Sequence, residues 1–268
     1  MLFEGSGVAI ITPFNDDKSV DYKSYENLLD FHLKNNTDAI VALGTTSEAA
    51  CLTEEEKLKI VDISVKKIQE KSDVIIDFSS KDSLNQLLTY ATKNKIPLVL
   101  ASTGYDEKDL GNIKKASEKI PIIQTGNYSL GVNVIVYVSK ILANLLEGFD
   151  IEIIEAHHNK KKDAPSGTAN MIFDAVNQAK GGNLEKIYGR SGFTENKDPN
   201  EVGIHALRAG TINGDHEIIF AGQDEVIKLS HHAQSKKIFA LGSLKAAKYI
   251  IKEKKGLIDI KDVLNIGE

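Results

Sequence analysis

The chain predicts an α/β protein in two parts, a parallel-sheet domain closed by the C-terminal helix and an inserted α+β domain. Three observations carry this. Short apolar runs recur at Val8–Thr12, Ala39–Leu43, Val74–Phe78, Pro97–Ala101 and Pro121–Gln124, and they are continuous rather than alternating. Such runs suit strands buried on both faces. Helical periodicities separate them, and strand–helix alternation means a parallel sheet with right-handed crossovers. After about Asn127 the pattern changes to longer helices and alternating strands.

The elements follow in order. Tyr22, Tyr25, Leu29 and Leu33 mark one face of a first helix. Thr53 followed by Glu54, Glu55 and Glu56 is a capping box for a second, with Leu58, Val61, Val65 and Ile68 on one face. Helices are predicted near 82–93, 106–118 and 131–147. Phe149 to Ile154 is an alternating strand, and Met171, Ile172, Ala175 and Val176 give the next helix its apolar face. Residues 180–201 are polar and Gly-rich and read as a mobile stretch. Gly203–Arg208, His216–Ala221 and Val226–His231 then predict an antiparallel sheet, with Asn213-Gly214 and Gln223-Asp224 as turns. A final helix spans about 235–252.

Composition narrows the function classes. The chain has 268 residues, enough for one large or two modest domains. Its net charge is −5, with both signs mixed, which argues against a nucleic-acid surface. The single cysteine, Cys51, excludes an internal disulfide and fits a reducing compartment. Glu4 and Gly5 stand where a signal peptide needs a basic and then a long apolar region. No apolar run approaches a membrane span. A cytoplasmic protein without membrane partners is expected.

Residues 155–168 are the richest stretch: Glu155, the adjacent His157 and His158, the cations Lys160 to Lys162, then Asp163 and Pro165-Ser166-Gly167-Thr168 opening a helix. A helix start carries unpaired N–H groups and partial positive charge, so it suits an anion. A lysine beside it suits a carboxylate, and a histidine beside both can supply a proton near neutral pH. Each feature alone also has a plain structural reading, a polar strand end or a solvated turn. Their meeting in one loop favours chemistry on a small carboxylated molecule. No metal site is expected, since the double histidine lacks the i, i+4 spacing of a metalloprotease helix and Cys51 is the only thiol. All histidines but His32 fall between 157 and 232.

From about Asp73 onward the chain closely resembles the 4-hydroxy-tetrahydrodipicolinate (dihydrodipicolinate) reductases. The carriers are Val74 to Ser79 with Asp77 and Phe78, Ser102-Thr103-Gly104, Asn127-Tyr128-Ser129 with Gly131 and Asn133, all of Glu155–Thr168, and Gly203 to Gly210 with Gly214 and His216. The resemblance implies a Rossmann-like domain and reduction of a cyclic imine precursor of diaminopimelate and lysine with NADH or NADPH. It implies His157 as general acid near the ring, with Lys161 beside it. His158 and Lys161 would hold the substrate carboxylates, together with Ser166, Gly167 and Thr168 at the helix start. Phe78, Ser102, Thr103 and Gly104 would lie along the nicotinamide half of the cofactor, with Asn127 and Tyr128 nearby. It also implies a homo-oligomer, commonly a tetramer formed through the antiparallel sheet. Ala101 replaces the usual first glycine of that turn, and Gly126 stands where proline or alanine is common.

The N-terminal segment departs from this pattern. A dinucleotide site needs strand, Gly-x-Gly-x-x-Gly turn and helix. Gly5 and Gly7 precede the first strand instead, and Thr12-Pro13-Phe14-Asn15 follows it. Residues 1 to about 70 resemble the 4-hydroxy-tetrahydrodipicolinate synthases. The carriers are Leu2 to Ala9, Thr12-Pro13-Phe14, and Gly44-Thr45-Thr46-Ser47-Glu48 with Leu52 to Glu56. A (β/α)₈ barrel needs eight units and only two are present, without the family's Schiff-base lysine. The chain reads as a composite joined near residues 70–73, as an in-frame fusion of neighbouring pathway genes or an artefact of sequence assembly would produce.

The predicted organisation is therefore an atypical nucleotide-binding-like domain, residues 1–127 and 238–268, with 1–70 synthase-like and 73–127 reductase-like. Residues 128–237 form the substrate-binding and oligomerisation domain. A reductase is the favoured function. The alternative is an impaired remnant that binds dicarboxylates but lacks the cofactor phosphate loop, and a pyruvate-dependent synthase comes last.

Overall fold

The computed structural model describes residues 5–68, 73–193 and 196–266. The join expected near 70–73 falls largely outside them. The chain forms two compact units. The first runs to Gln124 and includes Leu244–Ile258, and the second holds Thr125–Ser243 and the residues from Asp259.

In the first unit, β1 (Gly7–Ala9) pairs in parallel with β2 (Ala39–Val41). Between them runs α1 (Tyr22–Lys34), followed later by α2 (Glu54–Ile68). Asp21 caps α1 by accepting from the Ser24 N–H, and Tyr25 and Leu29 are its buried residues. The capping box at Thr53 forms: the Thr53 N–H reaches Glu56 Oε2 at 2.8 Å, and the Glu56 N–H reaches Thr53 Oγ1 at 3.2 Å. The buried face of α2 is Ile60 and Ser64, whose hydroxyl meets Tyr25 Oη of α1 at 2.8 Å. The predicted face is not the one in the core. Leu58, Val61 and Val65 line a groove of about 760 Å³ with Leu87 and Tyr90 of α3 (Leu84–Asn94). An apolar stripe on each side lets α2 serve two neighbours.

The other strands of this unit, β3 (Ile75–Asp77), β4 (Leu98–Leu100), β5 (Pro121–Gln124) and β11 (Gly256–Ile258), form a parallel sheet of order β11-β5-β4-β3, with α4 (Glu107–Ser117) between β4 and β5. Leu98, Val99, Leu100, Ile122 and Ile123 are inaccessible, as continuous apolar runs require. The pair β1–β2 forms a separate sheet and is half-covered, with Val41 exposed. Burial on both faces therefore holds for β4 and β5 and not for β1 and β2.

The second unit is built on a five-stranded mixed sheet. Its elements are α5 (Leu130–Leu145), β6 (Asp150–His157), α6 (Gly167–Ala179), β7 (Glu185–Ile187), β8 (Glu201–Arg208), β9 (Asp215–Ala221), β10 (Val226–His232), α7 (Lys237–Ile250, which crosses into the first unit) and α8 (Ile260–Leu264). Strand order is β10-β9-β6-β8-β7. Strand β6 lies between β8, which it pairs in parallel, and β9, which it pairs antiparallel. The antiparallel sheet predicted from the last three strands is corrected here. Only β9 and β10 form a hairpin, turning at Asp224 with φ 63°, while Asn213-Gly214 links strands that are not neighbours. Alternation reports a half-buried strand and says nothing of its partner. Strand β7 also falls inside the stretch read as mobile.

Ile151, Ile153, Val202, Ile204, Ile218 and Phe220 from the sheet pack with Ile135, Ile172, Phe173 and Val176 of α5 and α6. Each such fully buried side chain contributes about 1.5–3 kcal/mol. Gly242 of α7 admits no side chain, because a Cβ there would stand 1.7 Å from the Tyr128 carbonyl oxygen.

Candidate active site

Strand β6 places the site. Its inward residues are Ile151, Ile153, Glu155 and His157, so the apolar face of the strand ends in an acid and an imidazole. Glu155 is 0 % exposed and His157 9 %. A buried carboxylate needs a full set of partners. Arg208, which sits opposite His157 in the β6–β8 register, supplies two: Nη1 to Oε2 at 2.8 Å and Nη2 to Oε1 at 2.7 Å. The Ser166 N–H reaches Oε1 at 3.0 Å, and His157 Nδ1 meets Oε2 at 2.6 Å. Burial pushes the Glu155 carboxyl up, but the Arg208 and His157 hydrogen bonds and their charges outweigh it and hold it below the ordinary carboxylate value. The Arg208 guanidinium is correspondingly pushed up by its bonds to Glu155.

Helix α6 starts beside this acid. Ser166 Oγ accepts from the Ala169 N–H at 3.1 Å and meets His216 Nε2 at 2.8 Å. Open space surrounds the position a Gly167 side chain would take, and Thr168 Oγ1 accepts from Asn127 Nδ2 at 3.2 Å. His157 and His216 stand edge to face, 5.2 Å apart. Lys161 is engaged by Asp163, with both carboxylate oxygens 2.8 Å from Nζ. That contact holds the Asp163 carboxyl below its ordinary value. The His158 N–H is tied to the Ile212 carbonyl at 2.7 Å. The structure thus gathers Glu155, His157, Ser166, Gly167, Thr168 and Asn127 in the second unit, together with the buried Tyr128.

Glu155, Arg208 and His216 carry no role in the sequence-based assignment. Parity was the available signal. Glu155 continues the inward series of Ile151 and Ile153, and His216 continues that of Ile218 and Phe220.

His216 is a buried neutral ring. Burial and the nearby His157 push its pKa down to about 4. Between pH 6.5 and about 4 the unfolded chain binds a proton there that the folded chain does not, so stability falls as pH drops through that window. The expected loss is on the order of 3 kcal/mol. Urea midpoints of the wild type and a His216→Gln variant at pH 7 and pH 4.5 check this. The variant should lose clearly less, and equal losses would contradict the assignment.

In the first unit, Phe78 follows β3 and is exposed. Ser102, Thr103 and Gly104 follow β4, with Ser102 Oγ donating to Asp77 Oδ2 at 2.9 Å and Gly104 at φ +85° with open space around it. Both loops lie at the carboxyl ends of adjacent parallel strands, where α/β sheets bind ligands. These are the loops where the family resemblance expects the nicotinamide half of a cofactor. A diphosphate finds less. Asp21 caps α1, Glu54, Glu55 and Glu56 open α2, and Asp106, Glu107 and Asp109 surround the start of α4. Each of these helix N-termini already faces the chain's own carboxylates, which repel a phosphate.

Among the described residues no group of three or more His, Cys, Asp or Glu is placed to hold a metal ion. No described helix is long and apolar enough to cross a membrane.

Comparison with known proteins places the chain in a family. The family model for the C-terminal part of dihydrodipicolinate reductase matches residues 131–264, and that for its N-terminal part matches 22–128. The 4-hydroxy-tetrahydrodipicolinate reductase of Caldanaerobacter subterraneus subsp. tengcongensis is 51% identical over 203 residues, 76% of this chain and 81% of that one. The reductase of Brachyspira hyodysenteriae is 44% identical over 73% of this chain and 84% of its own. A dipicolinate-bound dihydrodipicolinate reductase from Paenisporosarcina sp. TG-14 shares the fold, with a TM-score of 0.61 at 22% identity over 86% of this chain and 80% of that one.

The synthase-like reading of residues 1–70 is not supported. The reductase N-terminal model takes in α1, β2 and α2. A strand end, a turn and a capped helix are what any parallel βα unit needs, so residues 44–56 are weak grounds for a barrel. With the models for both terminal parts of one family matched in order and relatives this similar along most of their length, the chain belongs to the dihydrodipicolinate reductase family.

Proposed function

We propose that this chain reduces 4-hydroxy-tetrahydrodipicolinate to tetrahydrodipicolinate in lysine and diaminopimelate biosynthesis, using NADH or NADPH. The observation that carries the reading is His157, held against buried Glu155 beside the α6 N-terminus. The net change replaces a hydroxyl by hydrogen: a hydride and a proton enter, and water leaves. The cofactor supplies the hydride when bound. His157 supplies the proton. The N–H groups of Gly167 and Thr168 and the Thr168 hydroxyl receive one carboxylate, on the α6 start that Ser166 caps. Lys161 and His158 hold the other, with Lys161 exchanging Asp163 for the substrate.

Phe78, Ser102, Thr103 and Gly104 would hold the nicotinamide half of the cofactor. Asn127 and Tyr128 would lie near that half of the cofactor, and Asn127 also bonds Thr168 at the start of α6. Residues 1–127 with 238–268 act as the nucleotide-binding part and 128–237 as the substrate and oligomerisation part. The protein works as a cytoplasmic homo-oligomer, a tetramer by family resemblance.

A second reading has its own support. The carboxylates at the starts of α1, α2 and α4 leave a diphosphate poorly held, which favours a dicarboxylate-binding protein with weak cofactor affinity. Titration of NADH and NADPH by nicotinamide fluorescence, with and without pyridine-2,6-dicarboxylate, separates the two. Saturable binding strengthened by the dicarboxylate is expected for the reductase. Dicarboxylate binding without cofactor binding would leave the second reading.

A further inference from the structure

We propose that Glu155 is a positioning residue that keeps the proton of neutral His157 on Nδ1, so that Nε2 is the nitrogen that takes up a second proton from solvent and, from the imidazolium, delivers it to the substrate. This rests on the reading of His157 as proton donor. An ionised carboxylate only accepts hydrogen bonds. Glu155 is ionised, because Arg208 grips both of its oxygens and its carboxyl sits below the ordinary value. Nδ1, 2.6 Å from Oε2, must therefore be the donor. The other tautomer would set a lone pair against a charged oxygen in a buried site, where that repulsion is poorly screened.

The opposite side of the ring agrees. Nε2 faces Gly214, where a Cβ would stand 3.1 Å away, so the glycine keeps the approach to that nitrogen clear. His216 cannot take the same place, since its Nε2 is occupied by Ser166 Oγ. The Glu155 carboxylate also accepts from the Ser166 N–H. One buried acid thus fixes both the direction of the proton and the start of the helix that carries Gly167 and Thr168. A merely structural Glu155–Arg208 pair has no reason to select the tautomer of a third residue.

The test is the ¹⁵N spectrum of the imidazole side chains in the full chain, with the His157 signals assigned from a His157→Gln variant. At a pH where the ring is neutral, the wild type should show a protonated Nδ1 and a bare Nε2. A proton on Nε2 in the wild type overturns the proposal, whatever Glu155→Gln shows. In Glu155→Gln the two tautomers should become mixed, and kcat should fall about 10²-fold or more, as when a histidine loses its orienting carboxylate. KM for the substrate should stay within about threefold. An unchanged tautomer in that variant also overturns the proposal. If the wild type shows no turnover, the reductase reading fails, while the tautomer measurement still decides the role of Glu155.

Discussion

Replacing His157 with glutamine is expected to lower kcat by about 10²–10⁴-fold, the usual worth of a positioned proton donor. Glutamine suits the test because its amide can still donate toward Glu155, so the buried acid keeps a partner at the position Nδ1 now fills. Alanine would add the cost of an under-satisfied carboxylate and confuse loss of chemistry with loss of fold. The dicarboxylate contacts assigned to Gly167, Thr168 and Lys161 do not involve the ring. Pyridine-2,6-dicarboxylate should therefore bind the variant within about threefold of the wild type, since only transition-state interaction is removed. Loss of dihydronicotinamide absorbance gives the rate and calorimetry the affinity. A fall in kcat of less than about tenfold would remove His157 from the proton-transfer role.

How much of this was legible in the sequence depends on which forces are local. Leu98–Leu100 and Pro121–Gln124 read correctly as buried strands because burial on both faces leaves a continuous apolar run. The Thr53–Glu56 capping box is likewise a contact within one turn. Partner choice is not local. Gly203–Arg208 reads in sequence as an antiparallel strand, yet β6 lies between it and β9 and pairs it in parallel. Nothing within eight residues of β8 encodes that neighbour. The short runs at 7–9 and 39–41 gave no sign that they pair with each other apart from the main sheet.

The site divides along the same line. His157, Ser166, Gly167 and Thr168 were found because they are close in sequence and their chemistry is familiar at a strand end and helix start. Glu155 and Arg208 are fifty-three positions apart and meet only across the β6–β8 register. The readable clue was the inward parity of Glu155, because an acid in an apolar series demands a cation from somewhere. The motif names the proton donor, and the sheet names what holds it.

That cation is the basis of the largest stability effect. Arg208→Ala is expected to destabilise the second unit by about 3–5 kcal/mol, the cost of leaving one partner of a buried ion pair uncompensated. Glu155 is 0 % exposed, and two of its four donors come from this guanidinium. Arg208 also donates to the Asp163 carbonyl at 2.7 Å, so its loss frees the loop that carries Lys161. Lysine does not substitute, because one ammonium lacks the two separate nitrogens that meet the Glu155 oxygens in parallel while also reaching the Asp163 carbonyl. The pH dependence identifies the cause. In the wild type the depressed Glu155 pKa contributes stability that is present above about 4.5 and is lost as pH falls through the folded-state value. In Arg208→Ala the carboxyl loses that advantage, so the gap between variant and wild type should narrow as pH drops below about 4.5. Adding Glu155→Gln to Arg208→Ala should recover part of the loss, since the stranded charge is then gone. Urea unfolding followed by circular dichroism reads all three chains. A single-variant cost below about 1 kcal/mol, the range of an exposed pair, would mean that water already reaches this carboxylate and that the site is wetter than its packing shows.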